Sequence, residues 1–376
     1  MRIVILGAGP AGLYLGFLIK RRKPDAEISV IEQNPADATF GFGVVFSDRA
    51  LEFLNDDDPD TLAAIAPLME SWRDMTVVHR NERVTIDGVG FAAIGRLKLL
   101  HVLQERLRSA GVEPQFGRAV GSLDELGAAD LIVGADGVNS LVRRAFADEF
   151  GASVTSLANH FAWFGTSKPY DTLTQTFRHT PIGDFNAHHY RYAPGRSTFI
   201  VETDDTTFAR AGFARMADED SRAFCEKVFA DALGGHRLIS NNSTWRRFPV
   251  VRNARWHHGN HVLIGDALHT VHFSIGSGTR LAMEDAIALD RALAQHGDDV
   301  ATALPAFEAA RRPIVDKIVA GANASAAWYE NFSDHMELAP AEFAMSYITR
   351  SGRVDLERLR VLSPRFVERY ERETKP

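Results

Sequence analysis

The sequence predicts a mixed α/β protein: a doubly wound domain assembled from separated stretches, an antiparallel-sheet domain inserted into it, and a C-terminal helical segment. Three observations carry this expectation. A β-branched run at 2–6 ends in a glycine-rich turn that opens a helical pattern. Between 153 and 252 the apolar residues alternate, as on half-buried strands. After Gly276 the pattern turns strongly helical. These shifts divide the doubly wound domain into 1–71, 91–152 and 253–335, the inserted domain into 72–90 and 153–252, and leave 336–376 as a helical tail.

Taken in order, strand 2–6 is followed by a helix at 11–22, whose Lys20, Arg21 and Arg22 complement the negative end of its dipole. A second strand at 28–32 completes a βαβ unit, and the parallel sheet continues through 131–135 and 262–264, with a helix at 96–108 between them. Segments 161–167, 174–178, 186–192 and 197–202 read as antiparallel strands. A helix at 221–233 stops on Gly234-Gly235. Helices follow at 282–295, at 301–327 with a break near Pro313, and at 341–351 behind Pro340. The mixed charges of 350–375 read as a solvated helical face.

Composition narrows the function classes. With 376 residues, 42 basic against 49 acidic side chains, net charge −7 and 45% apolar residues, the chain is globular rather than disordered or fibrous. The acidic balance, and the cluster Asp56, Asp57, Asp58 and Asp60, oppose binding to nucleic acid. Cys225 is the only cysteine, which excludes an internal disulfide and a thiolate metal cluster and fits a cytoplasmic protein. The apolar opening at 3–19 imitates a signal peptide or membrane span, but its glycines, Pro10 and the late basic group at 20–22 fit folded structure, so no membrane partner is expected.

The strongest local motif is Gly7-Ala8-Gly9-Pro10-Ala11-Gly12, set between strand and helix, with Glu32 closing the next strand. The first glycine permits a tight turn, the second lets a pyrophosphate approach the backbone, the third lets helix pack on strand, and Glu32 can accept from a ribose hydroxyl. By itself this fits NAD or FAD. Downstream, strand 261–264 runs into Gly265-Asp266, then Gly276-Ser277-Gly278-Thr279 opens a helix. An aspartate past a strand suits a polyhydroxyl chain, and a glycine turn at a helix start suits a flavin's pyrimidine edge, which selects FAD. Between them, Asp136-Gly137 marks another strand, turn and helix start.

With these motifs in this order, the sequence resembles the class A flavoprotein aromatic monooxygenases, of the para-hydroxybenzoate hydroxylase type, over nearly the whole chain. The resemblance implies FAD contacts at Gly7, Gly9, Ala11, Gly12, Glu32, Asp136, Gly265 and Asp266, with Arg96 against the flavin's linker and Gly276, Ser277, Gly278 and Thr279 beside its N1 and C2 oxygen. Gly41-Phe42-Gly43-Val44-Val45-Phe46-Ser47 and His272-Phe273-Ser274-Ile275-Gly276 look like the branch containing salicylyl-CoA 5-hydroxylase, the monooxygenase half of anthraniloyl-CoA monooxygenase and a violacein-pathway hydroxylase. Where fusion members of that branch continue into a second module this chain stops, so a free-standing hydroxylase is expected. Many members of the wider family have a proline near Phe273; its absence here implies a differently built wall.

The resemblance implies reduction of FAD by NADH or NADPH, a C4a-hydroperoxide formed with O2, and oxygen transfer to an electron-rich ring. The expected substrate is a salicylyl- or anthraniloyl-type thioester of CoA or a carrier protein, hydroxylated para to its OH or NH2. A free aromatic acid, an indole-type substrate, and an NAD-dependent dehydrogenase are the alternatives; the last leaves Gly265-Asp266 without a purpose. His272, in the flavin-adjacent loop, is the first catalytic candidate, with His269 and Phe273 beside it. His188 and Tyr190 share one strand face and, with Phe46, are the substrate candidates, while His189 points away. Phe40, Phe42 and Phe46 alternate as for an aromatic pocket or simple packing. No third ligand accompanies His269-x-x-His272, so no metal is expected.

Overall fold

The computed structural model describes residues 1–39, 41–47 and 51–374. Three sheets organise it. The first has five strands in the order His257–His258, His261–Leu263, Leu131–Gly134, Arg2–Leu6, Glu27–Ile31, all parallel except the edge hairpin. Its inner strand Arg2–Leu6 is apolar on both sides, with Ile3, Val4 and Ile5 all buried, as expected of a parallel sheet covered on both faces. Helix Pro10–Arg22 begins with proline at its first position and packs on helix Gly278–Gln295. Arg22 and Lys23 tie this layer together by pairing with Asp290 and Asp298.

The second sheet has eight strands. Its path runs Leu238–Ile239, Ala152–Thr166, Arg196–Thr203, Gly183–Ala193, Leu173–Thr180, Met75–His79, Glu82–Ile86, with Arg246–Asn253 also paired to Ala152–Thr166. Side-chain alternation gives it two apolar faces. Phe164, Phe185, Phe199 and Val201 pack under the helices of 205–233. Met75, Val77, Phe177 and Tyr190 face the other way, toward the tail. A small antiparallel sheet, Gly43–Ser47, Phe91–Gly95 and Glu70–Trp72, bridges the two larger ones.

Three elements differ from the sequence expectation. The long helix Val300–Glu330 runs unbroken through Pro305 and Pro313. The turn leading into Pro313 is anchored: Arg311 pairs with Glu284 and Asp285, and Arg312 with Glu308, so side-chain ties hold the turn that proline weakens. The helix expected at 221–233 is two, Asp218–Val228 and Ala230–Leu233, because Phe229 leaves helical geometry to bury its ring against Phe199. The tail is docked rather than merely solvated. Its helices Leu356–Leu362 and Pro364–Thr374 bury Leu359, Phe366 and Val367 against the second sheet, and the Phe366 amide donates to Asp87. Among the described residues no helix is long and apolar enough to cross a membrane.

Candidate functional site

A cavity of about 270 Å³ lies where the carboxyl ends of the parallel strands meet the second sheet. Two helix N-termini open onto it: Gly9, Pro10 and Ala11 from one, Ser277, Gly278 and Thr279 from the other. Unsatisfied helix-start amides and two aligned dipoles make that end of the cavity attractive to anions.

The glycine turn is built by close backbone contact. Gly7 has φ +100°, and a Cβ there would sit 2.2 Å from the Ala135 carbonyl oxygen. A Cβ on Gly12 would lie 2.0 Å from the Gly7 carbonyl oxygen, whereas one on Gly9 meets only open space. The strand–turn–helix is thus closed on its protein side and open toward the cavity. Glu32 accepts the Ala8 amide at 2.9 Å and Asn34 at 2.6–2.9 Å, which fixes its carboxylate beside the turn.

Opposite, Gly265 and Asp266 line the cavity. Asp266 is exposed where it lines the cavity, yet desolvation by the surrounding protein raises its pKa while the charges of Arg96 and His269 oppose the rise. The Arg96 guanidinium lines the same wall with no hydrogen-bond or ion-pair partner among the described residues. Desolvation lowers its pKa against the pull of Asp266. A cation opening helix Arg96–Ser109 also opposes that helix's dipole, so both terms favour an anionic partner in the cavity.

The other described residues that line the cavity are uncharged. Val44, Val45, Trp163, Ile200, Phe248 and Phe273 form apolar walls. Phe273 meets Phe161 and Phe248 at ring separations of 5.1 and 6.1 Å. His188 and Tyr190 line it from one strand face; the Tyr190 hydroxyl donates to the Gly43 carbonyl at 2.8 Å, and burial raises its pKa. His188 is buried and held down to about 3 by desolvation, reinforced by the charge of Arg350, so its imidazole is neutral. His189 points to the opposite face, against Phe199 and Thr176.

Other sequence candidates lie off the cavity wall. Phe46 is buried in the core of the parallel-sheet domain, and its neighbours Val44 and Val45 take the wall instead; Phe40 lies outside the described residues. His269 meets Asp285 at 2.9 Å, and Asp285 also pairs with Arg311 at 2.8 Å and accepts the Gly265 amide at 3.1 Å. This buried cluster holds the Gly265-Asp266 turn from beneath. His272 turns behind the wall: its Nδ1 meets Ser274 Oγ at 2.8 Å, which meets Ser325 Oγ at 2.7 Å. Arg350 donates to Ser325 Oγ and to the Ser274 carbonyl, both at 2.9 Å, so the tail ties down the loop at 272–276. Burial pushes the pKa of His272 down to about 3. His269 and His272 therefore share no facing pair of ligand nitrogens at the cavity. Asp136 caps helix Leu141–Ala145 through Leu141 at 2.6 Å, while its other oxygen has no partner; Gly137, not Asp136, reaches the cavity.

Sequence reading missed Trp163, Phe248 and Ile200. Trp163 and Ile200 fall inside strands that alternation located, but which face meets the cavity depends on pairing across the sheet, which alternation does not give.

Residues 1–322 match a family described as FAD binding domain. Salicyloyl-CoA 5-hydroxylase of a Streptomyces species is 41% identical over 381 residues, covering 99% of this chain and 73% of that protein. The 3-hydroxy-4-methyl-anthranilyl aryl-carrier-protein 5-monooxygenase of Streptosporangium sibiricum is 37% identical over 356 residues, covering 94% of this chain and 95% of that one. Among solved structures, PqsL of Pseudomonas aeruginosa in complex with 2-aminobenzoylacetate superposes with a TM-score of 0.69 over 88% of this chain and 97% of that one; at 21% identity this speaks to the fold alone.

Proposed function

The chain belongs to the FAD binding domain family and is an FAD-dependent aromatic monooxygenase, and from that premise we propose that it hydroxylates a salicylyl- or anthraniloyl-type acyl thioester, carried on CoA or a carrier protein, para to the ring's hydroxyl or amino group. The observation that carries this reading is one cavity with two unlike ends: an anion-attracting end made by two helix starts and Arg96, and an aromatic, uncharged end under the second sheet. The likeness to two thioester hydroxylases across almost the full chain supports the acyl class.

When bound, FAD supplies the electron and oxygen chemistry, with NADH or NADPH and O2 as cosubstrates. The protein binds and orients. Gly9 and Ala11 would offer backbone to the pyrophosphate, with Gly7 and Gly12 closing the turn behind them, Glu32 and Asp266 would accept hydroxyls, and Arg96 would neutralise phosphate charge. Gly276 supports the second turn: at φ +59°, a Cβ there would press to 2.8 Å from the Val45 carbonyl. The amides of Ser277, Gly278 and Thr279 stabilise negative charge near the flavin ring. Phe273, Phe248 and Val45 exclude water, and His188 and Tyr190 face the ring. His269 and His272 act as supports of the two turns rather than as groups touching substrate. Reaction in the cytoplasm, where reduced nicotinamide is available, fits the single buried thiol of Cys225.

Arg96→Met is expected to weaken FAD roughly tenfold, about 1.4 kcal/mol, by flavin fluorescence titration; an unchanged Kd contradicts the assignment. The function itself is tested by NAD(P)H consumption over salicylate, anthranilate, their CoA thioesters and tryptophan-like compounds. Thioesters are expected to stimulate oxidation most and to yield a product about 16 mass units heavier. Preferential turnover of a free acid or an indole contradicts the acyl class.

A further inference from the structure

On one face of the second sheet Gln175, His188, Ile200 and Trp163 stand directly opposite one another across four strands. Three of the four carry polar atoms, and the following are buried without a hydrogen-bond partner: both side-chain atoms of Gln175, both ring nitrogens of His188, and the indole nitrogen of Trp163. Orphaned polar atoms of this kind cost about 1–3 kcal/mol each, and five in one row require an external partner. The row runs along the uncharged end of the cavity, with His188, Ile200 and Trp163 on its wall and Gln175 buried beside His188 on the next strand, behind the wall.

We infer that Gln175, His188 and Trp163 form a neutral hydrogen-bonding strip that selects an uncharged acyl-aromatic ligand over the corresponding carboxylate. This rests on the cavity being the substrate pocket, and it assigns the selection to residues. An indole N–H only donates, so Trp163 suits the acyl carbonyl oxygen. Neutral imidazole both donates and accepts, as a ring hydroxyl or amine does, so His188 suits that substituent, and Gln175, a donor and acceptor beside it on the next strand, acts through His188 as a positioning residue. Ile200 between them gives the ring an apolar floor. Protonation does not convert the strip into a cation, because burial and the charge of Arg350 hold His188 neutral. Among the described residues that line the cavity only Arg96 and Asp266 carry formal charge, and they oppose each other. A ring-bound carboxylate would thus meet no unopposed cation among the described lining residues, which is unfavourable in a desolvated site.

The test titrates the FAD-loaded enzyme, reading the flavin absorbance change, with three probes: the N-acetylcysteamine thioester of 2-hydroxybenzoate, 2-hydroxybenzoate itself, and the benzoyl thioester without the hydroxyl. The first is expected to bind at least about tenfold tighter than either of the others, the scale of one satisfied hydrogen bond. Gln175→Met and His188→Leu are expected to reduce the hydroxyl preference below about threefold, and Trp163→Phe to weaken thioester binding about tenfold. Because Gln175→Met removes two orphaned atoms, its ligand-free Tm is expected at or above that of the wild type, with a smaller thioester-induced rise. Equal or tighter binding of the free acid, or retention of the hydroxyl preference and of thioester affinity in all three variants, overturns the inference. Thioester selectivity in binding without substrate-stimulated NAD(P)H oxidation instead counts against the hydroxylase reading alone.

Discussion

Gly12→Ala is expected to leave the purified protein colourless, with FAD affinity reduced at least about 100-fold, close to 2.7 kcal/mol. The added Cβ would fall 2.0 Å from the Gly7 carbonyl oxygen, a backbone atom that no rotamer change can move aside. Relief requires the helix Pro10–Arg22 to back away from the turn, and Gly7 cannot yield in the other direction, being pressed against Ala135. The helix-start amides then lose their alignment on the pyrophosphate. Thermal melting of the apo-protein separates this local effect from misfolding: a Tm close to that of wild-type apo-protein with lost flavin binding is the expected pattern. Normal affinity in this variant contradicts the placement of the cofactor.

Asp285→Asn is expected to lower stability by about 3 kcal/mol, at the lower end of what breaking a buried charge pair costs, since Glu284 still meets Arg311. Asp285 is fully buried, and although burial opposes ionisation, His269 and Arg311 hold its carboxyl below the usual carboxylate range. The sign follows from that depression. Its contribution is fully present above the unfolded value near 3.9 and is lost as pH falls through the lower folded value. Chemical denaturation across pH 2.5–7 checks both parts: the wild type is expected to lose this increment below about pH 4, and the variant to lack that part of the acid slope. A variant as stable as wild type at pH 7 contradicts the role of the cluster. Since Asp285 also accepts the Gly265 amide, weaker FAD binding is expected to accompany the loss.

The parts of the site made by backbone were legible in the sequence, and the parts made by side-chain direction were less so. Gly7, Gly12 and Gly276 are each required by a contact of under 3 Å, and such constraints leave a residue type at a fixed spacing. Histidine has no such uniqueness. His188, His269 and His272 look equivalent in sequence, yet one lines the cavity, one sits on a buried carboxylate and one is tied to Ser274. Phe46 alternates in sequence with Phe40 and Phe42, a pattern that fits a pocket and simple packing equally, and it is buried in the core of the parallel-sheet domain. The tail concealed its apolar positions Leu359, Phe366 and Val367 among alternating charges, and Pro313 carried a break signal that anchored arginines overrode. Gln175 carried no signal: its significance arises from standing opposite His188, a pairing set by the hairpin register.

A single turnover of the reduced, FAD-loaded enzyme with 2-hydroxybenzoyl-CoA under ¹⁸O2 tests the central assignment most directly. The expected product is a dihydroxybenzoyl thioester with one heavy oxygen, placed para to the original hydroxyl. Unlabelled product, or consumption of O2 with the aromatic ring unchanged across the thioester series, contradicts it.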